Sequence, residues 1–78
     1  MLVGETEALK VKVRRSDDLD AVIGYFSGTA YAAEPLDERT IAVVPPDSVR
    51  RRLARREIGV YLRLLERLFP GLVATLVD

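Results

Sequence analysis

The densest group of chemically capable side chains in the sequence is a run of arginines. The stretch SVRRRLARRE, residues 48–57, places five arginines within seven positions of a 78-residue chain whose formal net charge is zero. Guanidinium groups bind phosphate through paired hydrogen bonds, and the free N–H groups at a helix start also attract anions. The candidate anion-binding residues are therefore Ser48, Arg50, Arg51, Arg52, Arg55 and Arg56.

The same arginines also have a structural interpretation, as part of the solvated face of a helix. Basic side chains in a first helical turn oppose the helix dipole, at about 0.3 to 1 kcal/mol each, so acids should offset them. Glu34, Asp37 and Glu38 lie in or next to a predicted loop and are expected to do so. The sequence favours this interpretation, and phosphate or nucleic-acid binding is the alternative.

No catalytic, cofactor-binding or metal-ligating residue is expected. The chain contains neither histidine nor cysteine, so no serine has a histidine to activate it and no thiolate metal site can form. Asp17, Asp18 and Asp20 crowd into one predicted helix start and lack the spacing of a calcium loop, so helix capping explains them. The glycines form neither a phosphate loop nor a dinucleotide fingerprint. An enzyme is therefore not expected.

The first half of the chain predicts a strand and then a helix. Residues 8–14 alternate apolar and basic side chains, which is typical of a half-buried strand. Ser16 is expected to cap the helix that follows, and Gly28 is expected to end it in a left-handed conformation. Gly24, inside this helix, is expected to allow close approach of a neighbouring element.

The second half predicts two short strands, a long helix and a last strand. The strands are expected at 29–34, 40–44 and 72–77. Pro45 and Pro46 stop the middle strand because neither can donate a ladder hydrogen bond. The helix is expected over 49–69, with Asp47 or Ser48 as its cap.

This order predicts one α/β (α+β) domain over residues 1–78, with residues 1–7 as a flexible leading segment. The expected fold is a ferredoxin-like βαββαβ two-layer sandwich, in which a four-stranded antiparallel sheet carries both helices on one face. A different strand order, or a sheet completed by a second chain, is also compatible with the pattern.

The long helix has two apolar stripes, and one small sheet buries only one of them easily. The expected core stripe is Ala54, Ile58, Tyr61, Leu62, Leu65 and Phe69. The second stripe lies roughly 140° away around the helix, and it comprises Val49, Leu53, Val60 and Leu64. It is covered either within the chain, by the first helix or by Met1–Val3, or by a second copy in a homodimer.

Two further classes of partner are disfavoured. An RNA-binding sheet of this topology needs aromatic rings on its central strands, and the only aromatic residue in a predicted strand is Tyr31, expected at an edge. No apolar run approaches the roughly 20 residues that span a bilayer, and no secretory signal is present. The sequence therefore predicts no membrane association and a cytoplasmic location.

The stretch VKVRRSDDLDAVIGYFSGTAY resembles the opening half of ACT-type regulatory domains. This resemblance implies a ferredoxin-like fold, pairing through sheets or helices, and a small effector such as an amino acid bound near the first strand-to-helix loop. In that family Pro-Gly typically follows the first strand, whereas Ser16, Asp17 and Asp18 stand in that region here. The segment YLRLLERLFPGLVATLVD also resembles the end of short uncharacterised α/β proteins of GC-rich bacteria, which implies no activity.

The predicted function is a non-enzymatic interaction or regulatory module, with a second copy or another protein as its partner. Self-association is expected through the second stripe of the long helix. Polyanion binding by the arginines and effector binding at the first strand-to-helix loop are the alternatives.

Overall fold

The structure, a computed structural model, describes residues 8–77 and shows an α+β fold with a four-stranded antiparallel sheet and two α-helices. The predicted leading segment, including Met1–Val3, lies outside these residues. The elements are β1 (Leu9–Val13), a 3₁₀ helix (Ser16–Asp18), α1 (Leu19–Ser27), β2 (Ala32–Pro35), β3 (Thr40–Val44), α2 (Arg51–Leu68) and β4 (Ala74–Val77). The 3₁₀ helix is an element that the sequence analysis does not predict.

β1 is a central strand, in the sheet order β2-β3-β1-β4. It pairs antiparallel with β3, where Leu9 lies opposite Val43, and with β4, where Lys10 lies opposite Val77. Leu9, Val11 and Val13 are buried while Lys10 and Lys12 are exposed, as the alternating pattern predicts. The most completely buried side chains are Phe26, Leu9, Ile41, Ile58, Leu65, Val11, Val22 and Val43.

The start of α1 differs from the prediction that Ser16 caps it. Ser16 belongs to the 3₁₀ helix, and Asp18 is the N-cap residue of α1 without a side-chain capping hydrogen bond. The extra turn forms where the Asp18 N–H donates to the carbonyl of Arg15, at 3.0 Å. This turn displaces the hydroxyl of Ser16 from the capping position.

The end of α1 differs from the prediction that Gly28 is left-handed, since its φ is −88°. The hydroxyls of Ser27 and Thr29 donate to the carbonyls of Gly24 and Phe26, each at 2.7 Å. These hydroxyls donate hydrogen bonds to the last carbonyls of the helix, which a residue in the left-handed conformation otherwise helps to satisfy. Gly28 therefore does not need a left-handed conformation. The turn continues as the Tyr31 N–H donates to the Thr29 hydroxyl, so β2 begins only at Ala32.

The start of α2 is also later than predicted. The Val49 N–H donates to the Pro46 carbonyl at 3.0 Å, which forms a separate turn before the helix. Arg50 is the N-cap residue and makes no side-chain capping hydrogen bond, so neither Asp47 nor Ser48 caps α2. The helix then runs unbroken through Gly59 to Leu68.

The last strand is shorter than predicted because a turn follows α2. The Leu72 N–H donates to the Phe69 carbonyl at 3.0 Å, and Gly71 adopts a φ of +93°. β4 accordingly begins at Ala74. Leu72 still reaches the core, where 4% of its surface is exposed.

Gly24 does not mediate close packing, contrary to the prediction. A Cβ added at Gly24 has nothing within 4 Å, and the residue is exposed. We expect Gly24→Ala to stabilise the fold by about 0.5 to 1 kcal/mol, because alanine loses less backbone entropy in a helix. Urea unfolding followed by circular dichroism measures the change.

The matched control for this substitution is Gly71→Ala. An added Cβ at Gly71 is also in open space, but its φ of +93° disfavours an L-residue. Stabilisation by both substitutions, or by neither, would contradict the conformational explanation.

Candidate functional site on the second helix

The inner stripe of α2 packs on the sheet largely as predicted. Ala54, Ile58, Leu62 and Leu65 are buried, and Tyr61 is half-buried against the core. Phe69 is the exception, because 45% of its surface is exposed. Its φ of −123° shows that the helix has already ended at this residue, so helical spacing no longer places its ring on the inner stripe.

The opposite side of α2 carries an exposed apolar surface, which we call the outer apolar face. Its members and their exposed fractions are Leu53 (46%), Val60 (50%), Leu64 (40%) and Leu68 (63%). The sequence predicts the first three. Leu68 was missed, although it continues the i, i+4 spacing from Leu64.

Val49 does not belong to this face, contrary to the prediction. It precedes the first helical residue, Arg51, so the helical spacing that relates it to Leu53 does not apply. Its side chain is half-buried and packs against the core.

Glu57 lies on α2 between Leu53 and the Val60 and Leu64 pair, and it is tied to the core. The Tyr31 hydroxyl donates to Glu57 Oε1 at 2.5 Å. Tyr31 is only 4% exposed and lies directly before β2, which is an edge strand as expected, so only the start of that strand differs from the prediction. No periodicity in the sequence connects these two residues, which are 26 positions apart.

An aromatic cluster surrounds this hydrogen bond. The rings of Tyr25, Phe26, Tyr31 and Tyr61 pack edge to face, with centroid distances from 5.7 to 6.3 Å. Such pairs contribute about 0.5 to 1.5 kcal/mol each beyond the area they bury. The cluster joins α1 to α2, so it fixes the direction in which the outer apolar face points.

The environment of Tyr31 favours its neutral form. Burial raises the pKa of Tyr31 above its ordinary value of 10.0, and the hydrogen bond to Glu57 and the charge of that carboxylate raise it further. An ionised Tyr31 could not donate this hydrogen bond and would repel the carboxylate.

We expect the free energy of unfolding to fall as pH rises above about 10, because Tyr31 then ionises in the unfolded chain but stays protonated in the folded chain. The Tyr31 contribution is fully present below the unfolded pKa and is lost as pH rises toward the raised folded pKa. In Tyr31→Phe this part of the pH dependence should be missing, and at neutral pH the loss of the hydrogen bond should cost about 1 to 3 kcal/mol. Urea unfolding between neutral and alkaline pH tests both statements. Identical alkaline profiles for the two proteins would contradict them.

The first turns of α2 bring part of the arginine run together. Arg50, Arg52, Leu53 and Arg56 line a groove of about 220 Å³, which we call the arginine groove. Arg51 and Arg55 point to a different side of the helix, about 100° from Arg52 and Arg56, and each makes an interaction of its own. Ser48 is exposed in the preceding turn and does not line the groove.

The acids expected to offset these arginines lie in β2 and in the turn that follows it. The turn that contains Asp37 and Glu38 joins β2 to β3 at the opposite end of β3 from α2, about 17 Å away for five strand residues. The Asp37 carboxylate accepts the Arg39 N–H at 2.9 Å, and this bond holds the pKa of Asp37 below its usual value. Glu34 pairs with Ala42 on the exposed face of the sheet. Asp37 and Glu38 are therefore too far away to offset the arginines at the start of α2.

The loop where the ACT resemblance places an effector is exposed. Arg15 Nη2 lies 3.7 Å from Asp17 Oδ2, and their side chains are 60% and 83% exposed. A shallow hollow of about 370 Å³ lies nearby, lined by Lys12, Asp37, Glu38, Arg39 and Thr40. Its mixed charges select neither anions nor cations.

Comparison with known proteins assigns no family. No family model matches the chain, and no significant match is found among curated proteins or solved structures. Within residues 8–77, no three acidic side chains cluster closely enough to suggest a metal site. Neither described helix combines the length and apolar character that a bilayer span requires.

Proposed function

We propose that this protein is a non-enzymatic interaction or regulatory module that self-associates through the outer apolar face of α2. One observation carries the proposal: four large apolar side chains, each 40 to 63% exposed, follow one side of an 18-residue helix. Single exposed apolar residues are ordinary, whereas a continuous row of them marks an interaction surface. The row is held on a rigid support, because the opposite side of α2 lies in the core.

The size of the face predicts a modest affinity. Burying the exposed part of each side chain contributes on the order of 1 kcal/mol, so eight side chains from two copies contribute about 8 kcal/mol. Loss of translational and rotational freedom offsets part of this gain. We therefore expect a reversible dimer with a dissociation constant above about 1 µM.

Leu64→Asp tests this proposal because it places a charge in the middle of the face. Sedimentation velocity over roughly 10 to 500 µM should show the wild-type mass rising from 8.7 kDa toward twice that value, while the variant stays monomeric. Since Leu64 is 40% exposed, the substitution should leave the monomer folded, which circular dichroism checks.

Leu36→Asp is the matched control. Leu36 is 53% exposed but lies in the turn between β2 and β3, far from α2. This variant should dimerise like the wild type. A wild-type chain that remains monomeric over the whole range, or equal effects of the two substitutions, would refute the proposal.

We also propose that the fold is the ferredoxin-like split βαβ arrangement. The strand order β2-β3-β1-β4 supports this assignment, as does the position of a helix between β1 and β2 and between β3 and β4. The 3₁₀ helix before α1 is an addition to the simple pattern. Effector binding at the loop between β1 and α1, as in ACT-type domains, remains a prediction.

Polyanion binding is the second candidate function, and the arginine groove favours it. Three arginine residues line this groove at the start of α2, whose first turn contains no acidic residue. Charge-assisted hydrogen bonds to phosphate or sulfate groups would relieve the repulsion between these arginines and the helix dipole.

Heparin chromatography tests this second function. Arg52→Gln/Arg56→Gln should elute at a clearly lower salt concentration than the wild type, because two of the charges that line the groove are gone. Lys12→Gln/Arg14→Gln removes the same charge from an exposed region outside the groove and should elute close to the wild type. No retention of the wild type, or equal shifts for both variants, would exclude the arginine groove as the binding site.

A further inference from the structure

We propose that the outer apolar face of α2, together with a row of arginines beside it, binds an acidic amphipathic helix of another protein. This inference shares its site with the proposed function and rests on that function only in taking the outer apolar face as an interaction surface. It differs in naming a partner of complementary charge, which competes with a second copy for the same face.

The arginines form a straight row along the helix, which we call the arginine row. Its members are all exposed, and they are Arg52, Arg56, Arg63 and Arg67. By helical geometry their directions fall within about 60° of one another, and their centre lies roughly 85° from the centre of the outer apolar face. At 1.5 Å per residue, both rows extend for about 22 Å along α2. An apolar strip and a positive strip therefore lie side by side.

The described part of the protein does not neutralise the arginine row. Among residues 8–77, the structure shows no ion pair or hydrogen bond at any of its four guanidinium groups. The acids of α2 are Glu57 and Glu66. Glu57 accepts the Tyr31 hydroxyl and lies on the opposite flank of the outer apolar face, while Glu66 lies beyond the row. The row is therefore available to a partner that carries negative charge.

A second copy of α2 supplies little of that charge. In an antiparallel pair of helices the two-fold axis brings like flanks together, so one arginine row would face the other. In a parallel pair opposite flanks meet, and the opposite flank of α2 carries one acid, Glu57. A self-dimer of either kind covers the apolar side chains but leaves most of the charge of the row uncompensated, which weakens it relative to a complementary partner.

A ligand that satisfies both strips needs a row of apolar groups with a row of negative charges beside it. An amphipathic helix with acidic residues along one edge has this pattern, because residues three and four positions apart share a face. Such helices dock by laying their apolar side on an exposed apolar row, and charges along the edge select the partner. A helix of about four turns matches the length of both strips.

Nucleic acid and lipid each fit only part of this surface. A nucleic-acid strand would contact the arginine row through its phosphates, but unpaired bases stack on aromatic rings, and the outer apolar face is aliphatic. An anionic bilayer would cover the apolar side chains, but it would also approach the Glu57 carboxylate on the opposite flank, whose negative charge it repels. An acidic helix covers both strips without meeting that carboxylate along its charged edge.

Three synthetic helical peptides of about 18 residues test the inference by fluorescence anisotropy. The first carries a row of leucines with glutamates along one edge, the second has glutamine in place of these glutamates, and the third has alanine in place of the leucines. The first should bind the wild-type chain about tenfold more tightly than either of the others, because it alone matches both strips.

The other outcomes overturn the inference. Equal binding of the first and second peptides would show that the arginine row does not contribute. Equal binding of the first and third would show a site for any polyanion. Absence of binding by the first peptide up to about 500 µM would show that this surface does not accept an acidic helix.

Substitutions show whether the peptide binds where we propose. Arg56→Gln/Arg63→Gln should weaken binding of the first peptide about tenfold and leave binding of the second unchanged. Both side chains are exposed, so the variant should fold, which circular dichroism checks. The matched control, Lys12→Gln/Arg14→Gln, makes the same change in net charge at exposed positions outside α2 and should bind like the wild type. Equal losses for the two variants would also overturn the inference.

Failure of this inference and failure of the proposed self-association are distinguishable. If the wild type is monomeric in sedimentation but binds the first peptide selectively, self-association is refuted and the acidic partner is supported. If the wild type dimerises and Leu64→Asp abolishes the dimer, while the three peptides bind alike or not at all, only the acidic partner is refuted.

Discussion

Packing of one stripe of α2 against the sheet is the constraint on which the rest of the structure depends. The buried stripe consists of Ala54, Ile58, Leu62 and Leu65, which pack on the sheet. A helix can place only part of its circumference against one face of a sheet. An 18-residue helix with apolar residues on two sides must therefore leave one side outside the core. The outer apolar face is the direct result.

The hydrogen bond between Tyr31 and Glu57 explains how an acid is accommodated beside that face. A carboxylate among leucine and valine side chains loses solvation, and a buried hydroxyl that donates to it offsets part of this loss. The aromatic cluster fixes the hydroxyl, since the Tyr31 ring packs against both Phe26 and Tyr61. The same contacts thus position α2 and hold the Glu57 carboxylate in place.

Side-chain patterns that repeat along a single strand or helix could be read from the sequence, whereas contacts between different elements could not. Strict alternation in β1 and helical spacing in α2 predicted their buried faces, because each pattern repeats several times. The predicted caps at Ser16, Gly28 and Ser48 were wrong, because backbone turns and the hydroxyls of Ser27 and Thr29 form the hydrogen bonds at these helix ends instead. Val49 was misplaced for a related reason, as the helical spacing was extended two residues beyond the start of the helix.

The candidate site shows the same division. Leu53, Val60 and Leu64 were found by spacing alone, and Leu68 was available to the same reasoning. The arginine run was evident as a composition, and helical spacing separates Arg51 and Arg55 from Arg52 and Arg56. Spacing could not show that Arg50, which precedes the helix, lines a groove with Arg52 and Arg56. Nor could it place Asp37 and Glu38 at the far end of β3, because that depends on the direction of the strands.

The strand order has a consequence for how the chain acquires its structure during synthesis. β1 is made first, yet one of its two edges is completed only by β4, where Lys12 meets Thr75 and Val13 meets Ala74. A growing chain that lacks residues 74–77 holds Leu9, Val11 and Val13 in a sheet with an open edge, which is prone to pairing with other chains. The sheet is therefore complete only once residues 74–77 have left the ribosome, so this domain is protected from misassembly late in its own synthesis.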